Sequence, residues 1–390
     1  MLPVSQGIAK RAPGVALSAQ DRSRFSRHIL LPEIGMAGQQ RLLAARVLIV
    51  GTGGLGSASA YYLTAAGVGT IGLVDFDTVD MTNLQRQILF SEEDIGVPKL
   101  DAAVKRLREL CSSTHIIAMA ARVCADNVEA LIRDFDIVID GTDNFPTRYL
   151  LSDACVALGK PYIYGSIYRF EGQTAVFYPP HGPCYRCLFP APPPPDLLPS
   201  CAEGGVLGVL PGHIGIMQAT ETLKLICGIG QPLLGRLSTF EALTMRFSEY
   251  TLERDPSCPA CGTKKTEIIQ GQSPQGIGER SFYAPSISCQ EYHQRYRATG
   301  RPHVLLDVRN PPEASIAAIE DSRLIPLDEL PKRWRELPRD LEIIVYCKSG
   351  VRSARAAAIL LQAGVSAGVA SLEGGILAWI DLFAPELSRY

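Results

Sequence analysis

The chain predicts an α/β fold: a doubly wound sheet over residues 21–262, with a portion knotted by cysteines, followed by a smaller α/β domain at 285–390. Three observations predict it. Apolar strand-like runs alternate with helical stretches, the pattern of parallel strands covered by helices. A glycine-rich turn at 51–56, GTGGLG, joins the run Val47–Val50 to a helical segment. Two Cys-x-x-Cys pairs, Cys184/Cys187 and Cys258/Cys261, would tie distant parts of the first sheet together. At 390 residues the chain is longer than one core usually serves, which agrees with two domains.

In chain order, residues 1–20 contain Ala, Gly and Pro without apolar periodicity and read as a mobile tail. The sheet domain follows at 21–262. Within it the run APPPPDLLPS at 191–200 is expected to be extended and mobile. The polar segment 263–284 has Gly and Pro and no apolar face, so it reads as a linker. The second domain then runs to residue 390. No internal repeat is present.

The formal charge of −2 argues against a nucleic-acid or polyanion binder. The N-terminus lacks the apolar core of a signal peptide. The longest apolar candidate, 205–227, is broken by Pro211, His213 and Glu221, so no membrane span is expected. Eleven cysteines without an export signal suggest metal and reactive thiols rather than disulfides, and a cytoplasmic location. Cys111, Cys124, Cys155, Cys227 and Cys289 read as core or helix-face residues.

Four thiolates in two short pairs suit a tetrahedral structural zinc, Zn²⁺, with every position filled by protein. One such pair alone would equally suit a redox dithiol. The chemistry is expected elsewhere.

Gly51, Gly53 and Gly56 fit G-x-G-x-x-G, with Gly54 a fourth small position. Glycine lets the backbone approach phosphate, and the helix start offers free N–H groups. The next strand, TIGLVD, ends in Asp75, near the spacing of a ribose-binding carboxylate. Alone this would suit an NAD-dependent dehydrogenase. The stretch after it, which also holds Asp77, Thr82 and Leu84, does not: Asn83, Gln85 and Arg86, then Lys99 at a helix start, suit a triphosphate. A further strand, FDIVIDGTDN, ends in Asp143 and Asn144. Open α/β sheets place ligands at strand C-termini, and Asp143 could hold Mg²⁺ completed by phosphate oxygens.

The motifs RFSRHILLPEIG, GTGGLG, DFDTVDMTNLQRQ, GVPK, DGTDN, EGQ, CYRC and CPAC resemble, in order and spacing, the bacterial adenylyltransferases related to ubiquitin-activating enzymes. Those of molybdopterin-synthase and thiamine biosynthesis are the nearest in kind. The resemblance implies a Rossmann-like ATP-binding domain, ATP and Mg²⁺ as cofactors, and a small ubiquitin-like carrier ending in Gly-Gly as partner. It also implies roles. Arg86 and Lys99 would contact phosphates and Asp143 magnesium. Gly53, Gly54 and Asp75 would hold the adenosine end, with Asp77 and Asn83 close by. Arg27 would reach across a homodimer interface. Cys201, after the proline run, matches a cysteine that can bond to the carrier intermediate.

In the second domain, the run Ile343–Tyr346 delivers Cys347 into a loop, Lys348, Ser349, Gly350, Val351, Arg352, and an alanine-rich helix follows. A thiol among backbone N–H groups at a helix N-terminus beside arginine favours its thiolate and should be reactive. Four residues separate Cys347 from Arg352, whereas cysteine phosphatases have five. The loop, with DVR, LIPLDEL and LEGGILAW, resembles rhodanese sulfurtransferases, which carry sulfur as a persulfide. One departure is NPPEASIAAIEDSRLIP, which lacks the Gly-His-Ile common there.

Together the halves imply adenylation of a carrier followed by sulfur transfer to a thiocarboxylate, with thiosulfate or a persulfide donor protein as source. Molybdenum cofactor biosynthesis is the expected destination. The alternatives are thiamine, cysteine, tRNA thiolation or a secondary metabolite. A non-catalytic scaffold would be expected to lose part of the set Arg27, Arg86, Lys99 and Asp143, and an NAD-dependent oxidoreductase would not exchange pyrophosphate.

Overall fold

The structure is a computed structural model describing residues 2–179, 181–192, 204–262, 284–365 and 368–390. These fall into two compact units, one on each side of 263–283. The expected linker (Ala284 apart), the stretch 193–200 of the proline run, and Cys201 lie outside the described residues.

The first unit begins with helix α1 (Pro3–Arg11). Here the expectation of a mobile tail fails. Val4, Ile8 and Ala12 recur every four residues, and Ile8 is fully buried. Ser5 Oγ donates to Leu225 O at 2.5 Å, and Arg11 pairs with Asp136 at 2.6 Å. Flanking Pro and Gly residues hide this short periodicity in the sequence.

The sheet then builds from β1 (Arg46–Val50), helix α2 (Gly54–Ala65) and β2 (Thr70–Asp75). Helix α3 (Lys99–Leu110), β3 (His115–Ala120) and β4 (Ile137–Asp140) follow. Helix α4 (Phe145–Leu158) leads to β5 (Tyr162–Tyr168) and β6 (Glu171–Phe177). The long apolar helix α5 (Val209–Cys227) precedes β7 (Arg236–Glu241) and β8 (Arg246–Thr251). The strand order is β3-β2-β1-β4-β5-β6-β7-β8. Strands β3 to β5 pair in parallel and β5 to β8 antiparallel. Val47, Ile49, Ile71 and Leu73 pack one side of the sheet and Leu48, Val50, Val74 and Val138 the other, so the sheet is covered on both faces. Strands β1 and β4 run parallel, and the reversal of strand order between them leaves a crevice at their carboxyl ends.

The second unit is a five-stranded parallel sheet in which the strands lie in the order Arg323–Leu324, His303–Asp307, Glu342–Tyr346, Val369–Leu372, Ser286–Ile287. It comprises β9 (Ser286–Ile287), β10 (His303–Asp307), helix α6 (Pro311–Ile316) and β11 (Arg323–Leu324). Strand β12 (Glu342–Tyr346), helix α7 (Val351–Gln362), β13 (Val369–Leu372) and helix α8 (Gly375–Phe383) complete it. Central β12 is buried over Ile343–Tyr346, so the residue after it is delivered from the middle of the sheet. Among the described residues, no helix is long and apolar enough to cross a membrane.

Candidate functional site

The carboxyl ends of β1, β2 and β4 converge on the glycine turn. Gly56 is required by close approach: a Cβ there would lie 1.8 Å from Gly51 O. At Gly53 a Cβ would meet Gln87 Nε2 at 3.8 Å and Gly141 O at 4.0 Å, ordinary contact distances, so the turn is uncrowded at this one position in front of the N-terminus of α2. That is where backbone N–H groups attract phosphate.

Asp75 does more locally than the sequence suggests. Its Oδ2 accepts from Thr52 N at 2.7 Å and Thr52 Oγ1 at 2.6 Å. Its Oδ1 accepts from Phe76 N at 2.8 Å and Asp77 N at 3.0 Å. Four donors use the carboxylate's capacity, so Asp75 fixes the turn's shape.

Lys99 opens α3, with its side chain only 8% exposed and Nζ 3.0 Å from Asp77 Oδ2. A lysine at a helix N-terminus adds to the positive end of the helix dipole, an arrangement that favours an anion and gains nothing in isolation. Arg86 is half-buried and donates to Thr82 O at 2.9 Å. Thr82 and Asn83 serve the turn: Asp80 accepts from Thr82 N and Oγ1, and Asn83 Oδ1 accepts from Asp80 N. Leu84 is half-buried beside them, and Gln85 is exposed.

Asp143 and Asn144 are not on a strand, as expected, but beyond one. Strand β4 ends at Asp140, Asp143 is exposed in the following loop, and Asn144 caps α4 by accepting from Thr147 N at 3.0 Å. The strand stops because Asp140 turns its carboxylate back to Thr142 N and Oγ1, at 2.9 and 2.6 Å. Arg27 lies exposed on the short helix Ser26–Ile29, and no hydrogen bond or ion pair links it to Arg86, Lys99 or Asp143.

The four cysteines do come together. Cys184 Sγ is 3.8 Å from Cys187 Sγ and 3.5 Å from Cys258 Sγ, and Cys187 Sγ is 3.4 Å from Cys261 Sγ. All four sulfurs lie within 4.8 Å of one another. Zinc–sulfur bonds of about 2.3 Å in a tetrahedron place sulfurs about 3.8 Å apart, so the set fits Zn²⁺. Burial pushes the Cys184 thiol well up and Cys187 up to about 11, with neighbouring thiols adding to both. At Cys258 burial is outweighed by the Cys261 and Ala260 N–H groups, which bring the thiol below its ordinary value. A cation is what would let four such thiols ionise together. Of the unassigned cysteines, Cys111, Cys155, Cys227 and Cys289 are buried as expected. Cys124 is not: it is exposed in the loop after β3.

In the second unit Cys347 leaves β12 and is 1% exposed. Its Sγ accepts from Gly350 N at 3.1 Å, and Gly350 turns the loop at φ +99° into α7. Cys347 O accepts from Ile376 N at 2.8 Å and Lys348 O from Leu377 N at 3.2 Å, so the start of α8 holds the loop from beneath. Ser349 and Val351 face solvent. Arg352 donates to both oxygens of Glu313 at 2.7 Å.

The ThiF family matches residues 25–260, and the rhodanese-like domain matches residues 288–382. The chain belongs to the ThiF family. Among relatives, the Mycobacterium tuberculosis protein named probable adenylyltransferase/sulfurtransferase MoeZ is 42% identical over 388 residues, 97% of each chain. The sulfur carrier protein adenylyltransferase of Thermus thermophilus is 48% identical over 253 residues, 64% of this chain and 93% of that one. Adenylyltransferase and sulfurtransferase MOCS3 of Mus musculus is 40% identical over 401 residues, 94% of this chain and 87% of the relative. The solved structure of E. coli MccB with MccA-N7isoASN shares the fold, with a TM-score of 0.56 at 23% identity over 61% of this chain and 74% of that one.

This ThiF-family chain, with its rhodanese-like domain, is an enzyme of the adenylyltransferase and sulfurtransferase kind. Two of its features escape motif reading. Arg148, 5% exposed, lies with Nε 3.6 Å from Asp140 Oδ2 and donates to Thr142 O and Ser166 Oγ, both at 3.1 Å. Tyr162 OH donates to the same Asp140 oxygen at 2.6 Å. Burial pushes the Asp140 carboxyl up, against the pull of Arg148, Thr142 and Tyr162. The second is Glu313. Neither belongs to a contiguous motif, because each acts on a loop from a different element.

Proposed function

We propose that this ThiF-family enzyme uses ATP to adenylate the C-terminal Gly-Gly carboxylate of a ubiquitin-like sulfur carrier, then converts it to a thiocarboxylate with sulfur held on Cys347. The observation that carries the reading is the glycine turn at the N-terminus of α2, with Lys99 on a second helix N-terminus, in the same chain as a thiol cradled by the Gly350 N–H.

The attacking carboxylate is ionised at neutral pH, so no strong base is needed. The work is alignment and neutralisation of phosphate charge. The α2 N-terminus would face phosphate, with Arg86 and Lys99 adding positive charge, and Gly53 and Gly54 would hold the adenosine end. Asp75 would act on the adenosine end through the turn it shapes, and Thr82, Asn83, Leu84 and Gln85 would wall the cleft. Asp143 would hold Mg²⁺, beside Asn144, the metal supplying charge neutralisation. The carboxylate oxygen bonds to the α-phosphorus and pyrophosphate leaves with the bridging electron pair.

The terminal sulfur of a Cys347 persulfide then attacks the acyl carbon and AMP leaves. A second thiol, for which Cys201 is the candidate, bonds to the Cys347 sulfur and frees the thiocarboxylate. Tethering both centres in one chain raises their effective concentration. Zn²⁺ on the four cysteines has a structural role. Arg27, a few residues before exposed Leu30 and Leu31, would complete the site of a second copy in a homodimer. The favoured setting is cytoplasmic molybdenum cofactor biosynthesis.

The test is pyrophosphate exchange into ATP. It should depend on a Gly-Gly carrier and vanish in Asp143→Ala, while sulfur loading of Cys347 persists. Exchange retained in Asp143→Ala would remove that residue from the reaction.

A further inference from the structure

The rhodanese-like loop carries two cations, Lys348 and Arg352, and both are held by groups outside it. Arg352 meets Glu313 in a two-pronged contact, with side chains 15% and 8% exposed. Glu313 is placed there by its own helix start: Asn310 caps α6, and Glu313 Oε2 accepts from Asn310 N at 3.0 Å. Burial alone would raise the Glu313 carboxyl, but Arg352, the Asn310 N–H and Arg309 outweigh it and keep it low, hence charged. Lys348 Nζ sits 4.8 Å over the Tyr390 ring, and Tyr390 OH accepts from Arg309 Nη1. Arg309 is fully buried, paired with Asp307, and also reaches Glu313 O at 3.5 Å. One buried arginine thus anchors the partners of both loop cations. Glu313 lies in the very segment, NPPEASIAAIEDSRLIP, where the chain departs from the Gly-His-Ile pattern.

A paired guanidinium presents almost no net charge to an approaching ion. We propose that Glu313, by neutralising Arg352, is a specificity-determining residue that disfavours the small dianion thiosulfate and leaves the Cys347 loop to donors whose outer sulfur arrives on a persulfide of lower charge, such as a cysteine persulfide. The proposal rests on Cys347 being a sulfur carrier. With either donor the Cys347 thiolate bonds to the outer sulfur and the donor's S–S bond breaks. Sulfite leaves from thiosulfate, and thiolate from the persulfide, each with the bonding electron pair. Only the charge that must be accommodated beside Arg352 differs.

The experiment is sulfur loading of the full chain, read by intact mass and by thiocyanate release to cyanide, with thiosulfate and with cysteine persulfide as donors. Glu313→Gln should lower the thiosulfate KM on the order of tenfold, with a steeper dependence on ionic strength, and move the cysteine persulfide KM about twofold or less. In an Arg352→Gln background the same change should give no gain, which separates charge release from a merely structural effect. Thiosulfate KM unchanged or raised in a folded Glu313→Gln protein, or a gain that persists without Arg352, overturns the proposal. If neither donor loads Cys347 in the unmutated protein, the sulfur-carrier reading itself fails and the proposal falls with it.

Discussion

Arg148 Nε lies 3.6 Å from Asp140 Oδ2 with the aspartate side chain fully buried, and the same arginine donates to Thr142 O. The pair therefore supports the Asp143 loop from below. Removing one member leaves a buried charge uncompensated, which typically costs about 3–5 kcal/mol. Arg148→Ala should accordingly lower stability by that order in denaturant titration. Arg148→Lys, which keeps charge but loses the fork to Thr142 O and Ser166, should spare most stability while raising the ATP KM. Equal ATP kinetics in Arg148→Lys and unmutated protein would mean that the loop does not depend on this contact.

Lys99 and Asp77 stand 3.0 Å apart at the mouth of the cleft. Lys99→Ala should reduce kcat/KM for carrier adenylation by about 10²–10³-fold, in line with loss of a group aimed at developing phosphate charge. Asp77→Asn should act in the opposite direction on nucleotide affinity, because it frees the lysine. A loss in both variants would indicate that the pair is required intact.

The four-cysteine site should behave as a staple. Chelation of Zn²⁺ should expose backbone amides near 184–189 and 255–261 to hydrogen exchange before activity declines. Immediate loss of pyrophosphate exchange with unchanged amide protection would assign the metal to chemistry.

The Glu313 carboxyl is held below its ordinary value in the folded state. A depressed carboxyl contributes stability that is present above the unfolded value and lost as pH falls through the folded one. Amide protection across Pro311–Ile316 and the start of Val351–Gln362 should therefore decrease as pH falls below the ordinary carboxylate range, and Glu313→Gln should flatten that decrease. The same pH response in the variant would place the sensitivity elsewhere.

Much of the architecture was legible in the chain because it rests on contiguous pattern: Val47–Val50 into GTGGLG, TIGLVD ending at Asp75, and Ile343–Tyr346 into Cys347. The two Cys-x-x-Cys pairs were legible because tetrahedral coordination imposes its own spacing. What was hidden is non-local. Ile8 reads as tail until α5 is there to bury it. Asp75 reads as a ligand for ribose until Thr52 and the 76–77 amides are seen to use its oxygens. Asp143 reads as a strand end because nothing in FDIVIDGTDN shows that Asp140 will fold back on Thr142. Glu313 reads as one acid among many until Arg352 arrives from thirty-nine residues further on.

The most direct measurement is intact mass of candidate Gly-Gly carriers incubated with the full chain, Mg-ATP and a sulfur donor. The expected result is an oxygen-to-sulfur mass gain on one carrier that requires ATP and is lost in Cys347→Ala, with the AMP adduct persisting in that variant. A carrier that reaches the thiocarboxylate in Cys347→Ala as readily as in the unmutated protein would contradict the coupling of the two sites, and absence of any AMP adduct would contradict the adenylation that precedes it.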